Sequence, residues 1–314
     1  MPFPIEQKLV IAIASSALFD LRESDTVFRE HGEEAYREYQ VKHLDRLLPK
    51  GVAFPFIKRL LSLNEVFPEI EPIEVVLLSR NNTETGLRVM RSIQAYNLNI
   101  VRSAFLTGKS PFKYIPAFNA SLFLSANRTD VIDAVQAGYP AGMVLQSTIE
   151  DNDSDTELRI AFDFDGVIAD DEAEQVFQLS HSLDTFQQSE MLQSDKPLNP
   201  GLLKDLFGKL SVIQKLEFEK EKKHPDYKRK IRTAIITARS APAHERMITT
   251  LRSWGVAADE TFFMGGIEKR RVLEIFRPHI YFDDQMTHLK NALGCTPAVH
   301  IPFGIVNTFD INSH

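Results

Sequence analysis

Apolar runs of four to six residues alternate along this chain with stretches that repeat an apolar residue every three or four positions. A short run that is apolar throughout reads as a strand covered on both faces, and the periodic stretches read as the helices that cover it. The pattern predicts strands at Leu9–Ile13, Glu74–Leu78, Ser103–Leu106, Ser121–Leu124, Arg159–Phe162, Arg232–Ile236, Thr261–Met264, His279–Phe282 and Ala298–Ile301. Helices are expected over Thr85–Tyr96, Ala243–Trp254 and Arg270–Phe276. Strands alternating with helices define an α/β protein with a parallel sheet.

The stretch 149–157 is acidic, polar and free of apolar clusters, and it reads as a linker between halves at 1–148 and 158–314. The halves echo one another. Writing Leu77–Asn82 (LLSRNN) over Ile235–Ser240 (IITARS) also carries Phe105–Gly108 over Phe263–Gly266, and Ser121–Ala126 over His279–Asp284. A second register sets Ile11–Leu18 (IAIASSAL) over Ile160–Val167 (IAFDFDGV). In these registers Asp163 faces Ala14, Asp165 faces Ser16, Lys269 faces Pro111, Asp283 faces Ser125 and Asp284 faces Ala126. The expectation is a duplicated architecture whose first copy keeps the scaffold without the chemistry.

Composition narrows the class. With 43% apolar and 25% charged residues in 314, the chain can bury globular cores, and its length suits two domains. A net charge of −7 argues against a general binder of nucleic acid or of anionic membranes. The charged run from Glu217 to Lys230 reads as a solvated helix and loop. No apolar run approaches the roughly 18 to 20 residues of a membrane helix. The start carries an acid and reads as a strand rather than a signal peptide, so a cytoplasmic location is expected. The single cysteine, Cys295, excludes an internal disulfide and a cysteine-rich zinc site.

Candidate chemistry gathers where the apolar strands of the second half end. Asp163 and Asp165 close RIAFDFDGV, and Gly166 lets the chain turn there. Carboxylates spaced i, i+2 on an extended strand point the same way, which suits one as ligand or nucleophile and the other as acid or base. Alone, such a pair also fits calcium loops and ordinary turns. Thr237 closes RTAIIT, and Ser240 with Pro242 reads as the start of a helix whose free N–H groups, near Ala238, would attract a phosphate. Lys269 stands at the start of a helix, where a cation opposes the dipole and needs another reason to be present. Asp283 and Asp284 end the strand HIYF side by side; adjacent buried carboxylates are costly unless they share a cation, and oxygen ligands favour Mg²⁺. His279, His288 and His300 lack the spacing of a metal site and read as structural.

That set in that chain order resembles the haloacid dehalogenase superfamily. Longer stretches, TARSAPAHERMITTLRSWGV, FFMGGIEKRRVLEIFRPHIYFDDQ and HIPFG in the second half, and SRNNTETGLRVMRSIQAYNL and FLTGKSPFKYIPAFNASLFLSA in the first, are similar to the cytosolic 5′-nucleotidase type I family. One departure stands at the first motif, which reads FDFDGV here and close to FDGDAV in eukaryotic members; no carboxylate is lost by it. The resemblance implies a Rossmannoid parallel sheet with a helical cap, and hydrolysis of nucleoside 5′-monophosphates, chiefly AMP. It implies that Asp163 is the nucleophile that forms an aspartyl-phosphate and that Asp165 is the acid and base. Mg²⁺ would be held by Asp163, the carbonyl of Asp165 and one or both of Asp283 and Asp284. Thr237, Ala238 and Lys269 would hold the phosphoryl group, and an oligomer of identical chains is implied.

The interval 171–230 is far longer than an ordinary βα connection and reads as the cap. Its Phe177 and Lys196, with Arg239 beyond it, are candidate substrate contacts, while His181 reads as a surface residue. The residues leave two other readings open: the same chemistry on another small phosphate ester, and a weakly active nucleotide-binding regulator.

Overall fold

The computed structural model describes residues 3–307. The ends of the two expected halves, residues 1–2 and 308–314, lie outside the described residues. The chain forms two compact units, Met1–Val144 and Leu145–His314.

In the first unit five parallel strands, β1 (Leu9–Ile13), β2 (Ile73–Ser79), β3 (Arg102–Phe105), β4 (Leu122–Ser125) and β5 (Ala141–Val144), pair in the order β3-β2-β1-β4-β5. Strands β1, β2 and β4 are buried at every position, as unbroken apolar runs require. Helix α1 (Arg22–Lys42) is broken at Gly32, where φ is +83°. Then follow α2 (Phe54–Leu61), α3 (Thr83–Ala95) and α4 (Arg128–Gln136). Asn82 and Asn127 cap α3 and α4, each side chain accepting from the backbone N–H three residues on, at 2.8 Å and 3.2 Å.

In the second unit β6 (Leu158–Phe162), β7 (Ile231–Thr237), β8 (Glu260–Phe263), β9 (Ile280–Asp283) and β10 (Ala298–His300) are likewise parallel, in the order β8-β7-β6-β9-β10. The two units thus share one strand order. In each, the chain builds outward from its first strand and then crosses to that strand's other side. The crossover leaves a crevice at the carboxyl ends of β6 and β9, the switch point at which open α/β sheets bind ligands.

Helices of the second unit are α5 (Glu172–Ser180), α6 (Leu183–Leu192), α7 (Lys204–Lys223), α8 (His244–Trp254), α9 (Arg270–Phe276) and α10 (Met286–Ala292). Helices α5 and α6 form a hairpin pinched at its base, where Ala169 bridges Pro200 and Gly201 N donates to Ile168 O at 2.9 Å. Gly201 is obligatory there, since a Cβ would come 2.3 Å from Ala169 O. The expected cap, 171–230, therefore contains two kinds of structure. Helix α7 instead buries Leu206, Phe207, Leu210 and Ile213, with Phe207 edge-on to Phe162 of β6 at 5.4 Å.

All nine predicted strands form, with ends shifted by at most two residues. The strand missed is β5, whose sequence AGMV follows Gly-Tyr-Pro and lacks a β-branched residue until its last position. Segment 149–157 contains neither helix nor strand; its Asp155 and Glu157 pair with Arg159 at 2.7 Å and 2.6 Å. The helix expected to open at Ser240 begins instead at His244, after a turn over 241–243, and no side chain caps it.

Corresponding hydrogen bonds recur in the two units. Phe19 bridges Lys50 as Ala169 bridges Pro200. Leu48 N donates to Ser92 Oγ, and Leu198 N to Thr250 Oγ1, both at 3.0 Å. Arg88 Nε reaches Arg46 O at 2.8 Å, and Arg246 Nε reaches Lys196 O at 3.0 Å.

Candidate active site

Strand β6 delivers Asp163 to the crevice. Its N–H donates to Phe282 O of β9 at 2.8 Å, and its Oδ1 accepts from Phe164 N at 2.7 Å, so backbone bonds fix the carboxylate. Gly166, with φ +72°, then reverses the chain beneath Asp284. Strand β9 ends on Asp283, with Asp284 next.

Lys269 Nζ lies 2.5 Å from Asp163 Oδ2 and 2.8 Å from Asp283 Oδ2, and all three residues are buried. Asp283 also accepts from the Tyr281 hydroxyl and, at 2.8 Å, from Gln285 N, and His288 Nδ1 stands 3.2 Å from its Oδ2. Asp284 differs sharply. It is 2% exposed, yet among the described residues no donor bonds its carboxylate. Its backbone carbonyl is held by His300 Nε2 at 2.9 Å and Asn307 Nδ2 at 3.0 Å.

These surroundings set the charges. Burial pushes Asp163 up to about 7, with Lys269 pulling down and Asp283 pushing up. Burial also raises Asp283, but Lys269 and His288 outweigh it and hold that carboxyl well below the usual range. Asp284 is driven well above its ordinary value by burial and by the neighbouring Asp283 and Asp163. Lys269 is raised, because its two carboxylate partners outweigh the burial that would discharge it.

Asp163, Asp283 and His288 offer ligand atoms within 4.8 Å of one another. The Lys269 ammonium already lies between the two carboxylates of that group, so its positive charge is supplied. The acid left without one is Asp284. A buried carboxylate close enough to Asp163 and Asp283 to feel their charge, and lacking a hydrogen-bond donor among the described residues, fits a hard divalent cation.

The remaining predicted residues fall as follows. Thr237 ends β7, 1% exposed, and its Oγ1 accepts from Arg239 N at 3.2 Å; Ala238 between them is exposed. Arg239 grips Asp165 with two nitrogens, Nε to Oδ2 at 2.8 Å and Nη2 to Oδ1 at 2.7 Å, and its Nη1 reaches Glu190 and, at 2.9 Å, Ala243 O. Phe177, Lys196 and His181 are exposed in or beside the hairpin. Sequence reasoning missed Glu190, Tyr281 and Asn307, and read His288 and His300 as structural. No local signal marks Glu190, whose partner Arg246 is 56 residues away. For Tyr281 the hint was a phenol two residues before an acid on a buried strand.

Asp163, Asp283, Asp284 and Lys269 thus gather, all buried, at the carboxyl ends of β6 and β9. The chain belongs to the 5′-nucleotidase family, a family of phosphomonoester hydrolases, whose model matches residues 1–308. It is similar to human cytosolic 5′-nucleotidase 1B, with 35% identity over 299 residues, 93% of this chain. The chain spans about half the length of that relative, 48%. Among the described residues no helix is long and apolar enough to cross a membrane.

Proposed function

We propose that this protein is a Mg²⁺-dependent 5′-nucleotidase that hydrolyses nucleoside 5′-monophosphates through an aspartyl-phosphate on Asp163. The observation that carries the reading is the arrangement around Asp163: a buried carboxylate held by backbone bonds, with an ammonium at 2.5 Å and a donorless Asp284 nearby. Phosphate monoesters resist attack because their oxygens repel a nucleophile, so a site must neutralise charge and align the attack. Lys269 supplies a fixed cation beside the nucleophile. Asp163 Oδ forms the bond to phosphorus as the ester oxygen leaves, and Asp165, protonated on an oxygen released from Arg239 while the other stays held, gives the ester oxygen a proton. Asp165 then takes a proton from the water that cleaves the acyl phosphate, which regenerates Asp163. Thr237 and the backbone N–H of the exposed Ala238, at the end of β7, receive the phosphoryl oxygens.

Asp163, the carbonyl of Asp165 and Asp284 would hold Mg²⁺, with Asp283 engaged by Lys269 and Tyr281 instead. When bound, the ion would polarise the phosphoryl oxygens and offset their charge. The hairpin of α5 and α6, in this reading, is the part of the expected cap that covers the nucleotide. The shared strand order and matched hydrogen bonds support a duplication, with the first unit as the copy that has lost its carboxylates.

The test is phosphate release with Mg²⁺ from a panel of nucleoside monophosphates and sugar phosphates. Turnover of nucleotides well above sugar phosphates, abolished in Asp163→Asn, is expected. Preference for sugar phosphates would instead favour a phosphatase for another small ester, and turnover surviving in Asp163→Asn would remove the assigned nucleophile.

A further inference from the structure

Glu190, on α6 of the hairpin, is 1% exposed and accepts from two arginines: Arg239 Nη1, and Arg246 Nη1 at 2.8 Å. Arg246 Nη2 continues to Glu172 of α5 at 3.0 Å. The far edge of Arg239 holds both oxygens of Asp165, and the rings of Phe164 and Phe186 lie 5.6 Å and 5.8 Å from its guanidinium. An unbroken run of opposite charges, Asp165, Arg239, Glu190, Arg246 and Glu172, therefore leads from the crevice into the hairpin. Burying such charges is a poor way to stabilise a fold, because desolvation offsets most of the attraction. Another reason for them is needed.

The first unit supplies an internal control. Its Arg88 occupies the place of Arg246 and keeps the scaffold bond to a backbone carbonyl, but its Nη1 reaches Gln40 Oε1, at 3.1 Å, where Arg246 reaches Glu190. Asn81 stands two residues past Ser79 as Arg239 stands two past Thr237, with the same backbone-to-hydroxyl bond at 3.2 Å. Its side chain meets the Tyr36 hydroxyl, at 3.3 Å, rather than an acid. Ser16 takes the place of Asp165. The catalytic acid, the arginine and the hairpin glutamate are thus replaced together by neutral residues, while the arginine clasp on the backbone persists. The fold does without these charges where the reacting carboxylates are absent.

We propose, resting on the nucleotidase reading above, that Glu190 is a positioning residue: acting through Arg239, it fixes the Asp165 carboxylate and makes that alignment depend on the seated hairpin. A planar guanidinium held at both ends acts as a strut, whereas one held only at Asp165 can pivot and carry the carboxylate with it. A displacement near 1 Å at an acid–base group costs on the order of 100-fold in rate.

The experiment compares wild type, Glu190→Gln, Arg239→Lys and the double variant for kcat and KM on AMP with saturating Mg²⁺, each checked by thermal melting. Glutamine fills the corresponding place in the first unit, so Glu190→Gln should fold. Expected is a kcat lowered about 10- to 100-fold with KM within about twofold, and a double variant no slower than Arg239→Lys alone, because both changes break one strut. Unchanged kcat in folded Glu190→Gln, a loss confined to KM, additive effects, or collapse of the fold in Glu190→Gln would each overturn the positioning role. Wild-type turnover beside an undiminished Glu190→Gln sinks this role alone. A wild type that releases no phosphate from any nucleotide sinks the nucleotidase reading and takes the role with it.

Discussion

The Asp284 carboxylate rests against Gly166 so closely that a Cβ on the glycine would lie 2.6 Å from Oδ2. Gly166 also holds φ at +72°, where a side chain is strained by roughly 1–2 kcal/mol. Gly166→Ala should therefore move Asp284 while leaving Asp163 on its strand. The expected result is a rate lowered about 100-fold, together with loss of the Mg²⁺-dependent rise in melting temperature. An alanine variant that still gains stability from Mg²⁺ as wild type does would remove Asp284 from the metal site.

The raised proton affinity of Asp163, at about 7, predicts how the metal-free protein responds to pH. Between the ordinary carboxylate range near 4 and about 7, the folded chain holds a proton here that the unfolded chain has released. Stability falls with rising pH wherever the folded state binds more protons, so this group destabilises the fold progressively from about pH 4 to 7. Denaturation midpoints in chelator should drop over that window for wild type, and drop less for Asp163→Asn. Mg²⁺ must displace the same proton, so the concentration needed for half-maximal stabilisation should be higher at pH 6 than at pH 8. A midpoint equal at both pH values would separate Asp163 from metal binding.

Most strands were legible because they centre on apolar runs, and α3, α8 and α9 because they are periodic, signals that lie within one segment. The paired acids were legible for a related reason: carboxylates at the ends of buried strands are costly enough to demand an explanation. What could not be read was which groups oppose which. Nothing in DFDG assigns Arg239 to Asp165, 74 residues away, and nothing in HIYFDD says that Asp283 is saturated by Lys269 and Tyr281 while Asp284 finds no donor among the described residues. Those pairings follow from the strand order, which places β7 on one side of β6 and β9 on the other. The helix start expected at Ser240 failed because Pro242 lies in a turn before α8 rather than in its first turn.

Lys269 is the buried cation shared by two acids, Asp163 and Asp283. Removing it leaves Asp163 and Asp283 as uncompensated buried charges, a loss worth about 3–5 kcal/mol when one partner of a buried pair is deleted. Lys269→Met should lower stability by that order at pH 8 in chelator. Part of the loss should return at pH 6, where Asp163 takes up a proton. Urea denaturation at the two pH values measures both effects, and a variant equally stable to wild type at pH 8 would show that the acids are relieved by something other than the lysine.

Asn307 is 3% exposed, and its amide donates to Asp284 O at 3.0 Å and to Phe303 O at 2.7 Å, while its Oδ1 lies 3.0 Å from His300 Nε2. It touches no reacting group, yet it and His300 hold the backbone from which the Asp284 carboxylate projects. Groups that orient a metal ligand typically contribute 10- to 100-fold in metal affinity. Asn307→Ala should therefore raise the Mg²⁺ concentration for half-maximal activity by about tenfold at the least, with kcat at saturating Mg²⁺ much less affected. Asn307→Asp keeps the acceptor toward His300 but loses the donor to Asp284 O, so it should show the same shift. Titration of activity against Mg²⁺ for the three proteins decides the matter. If both variants need no more Mg²⁺ than wild type, the clamp on Asp284 serves only the fold of the last strand and its following loop.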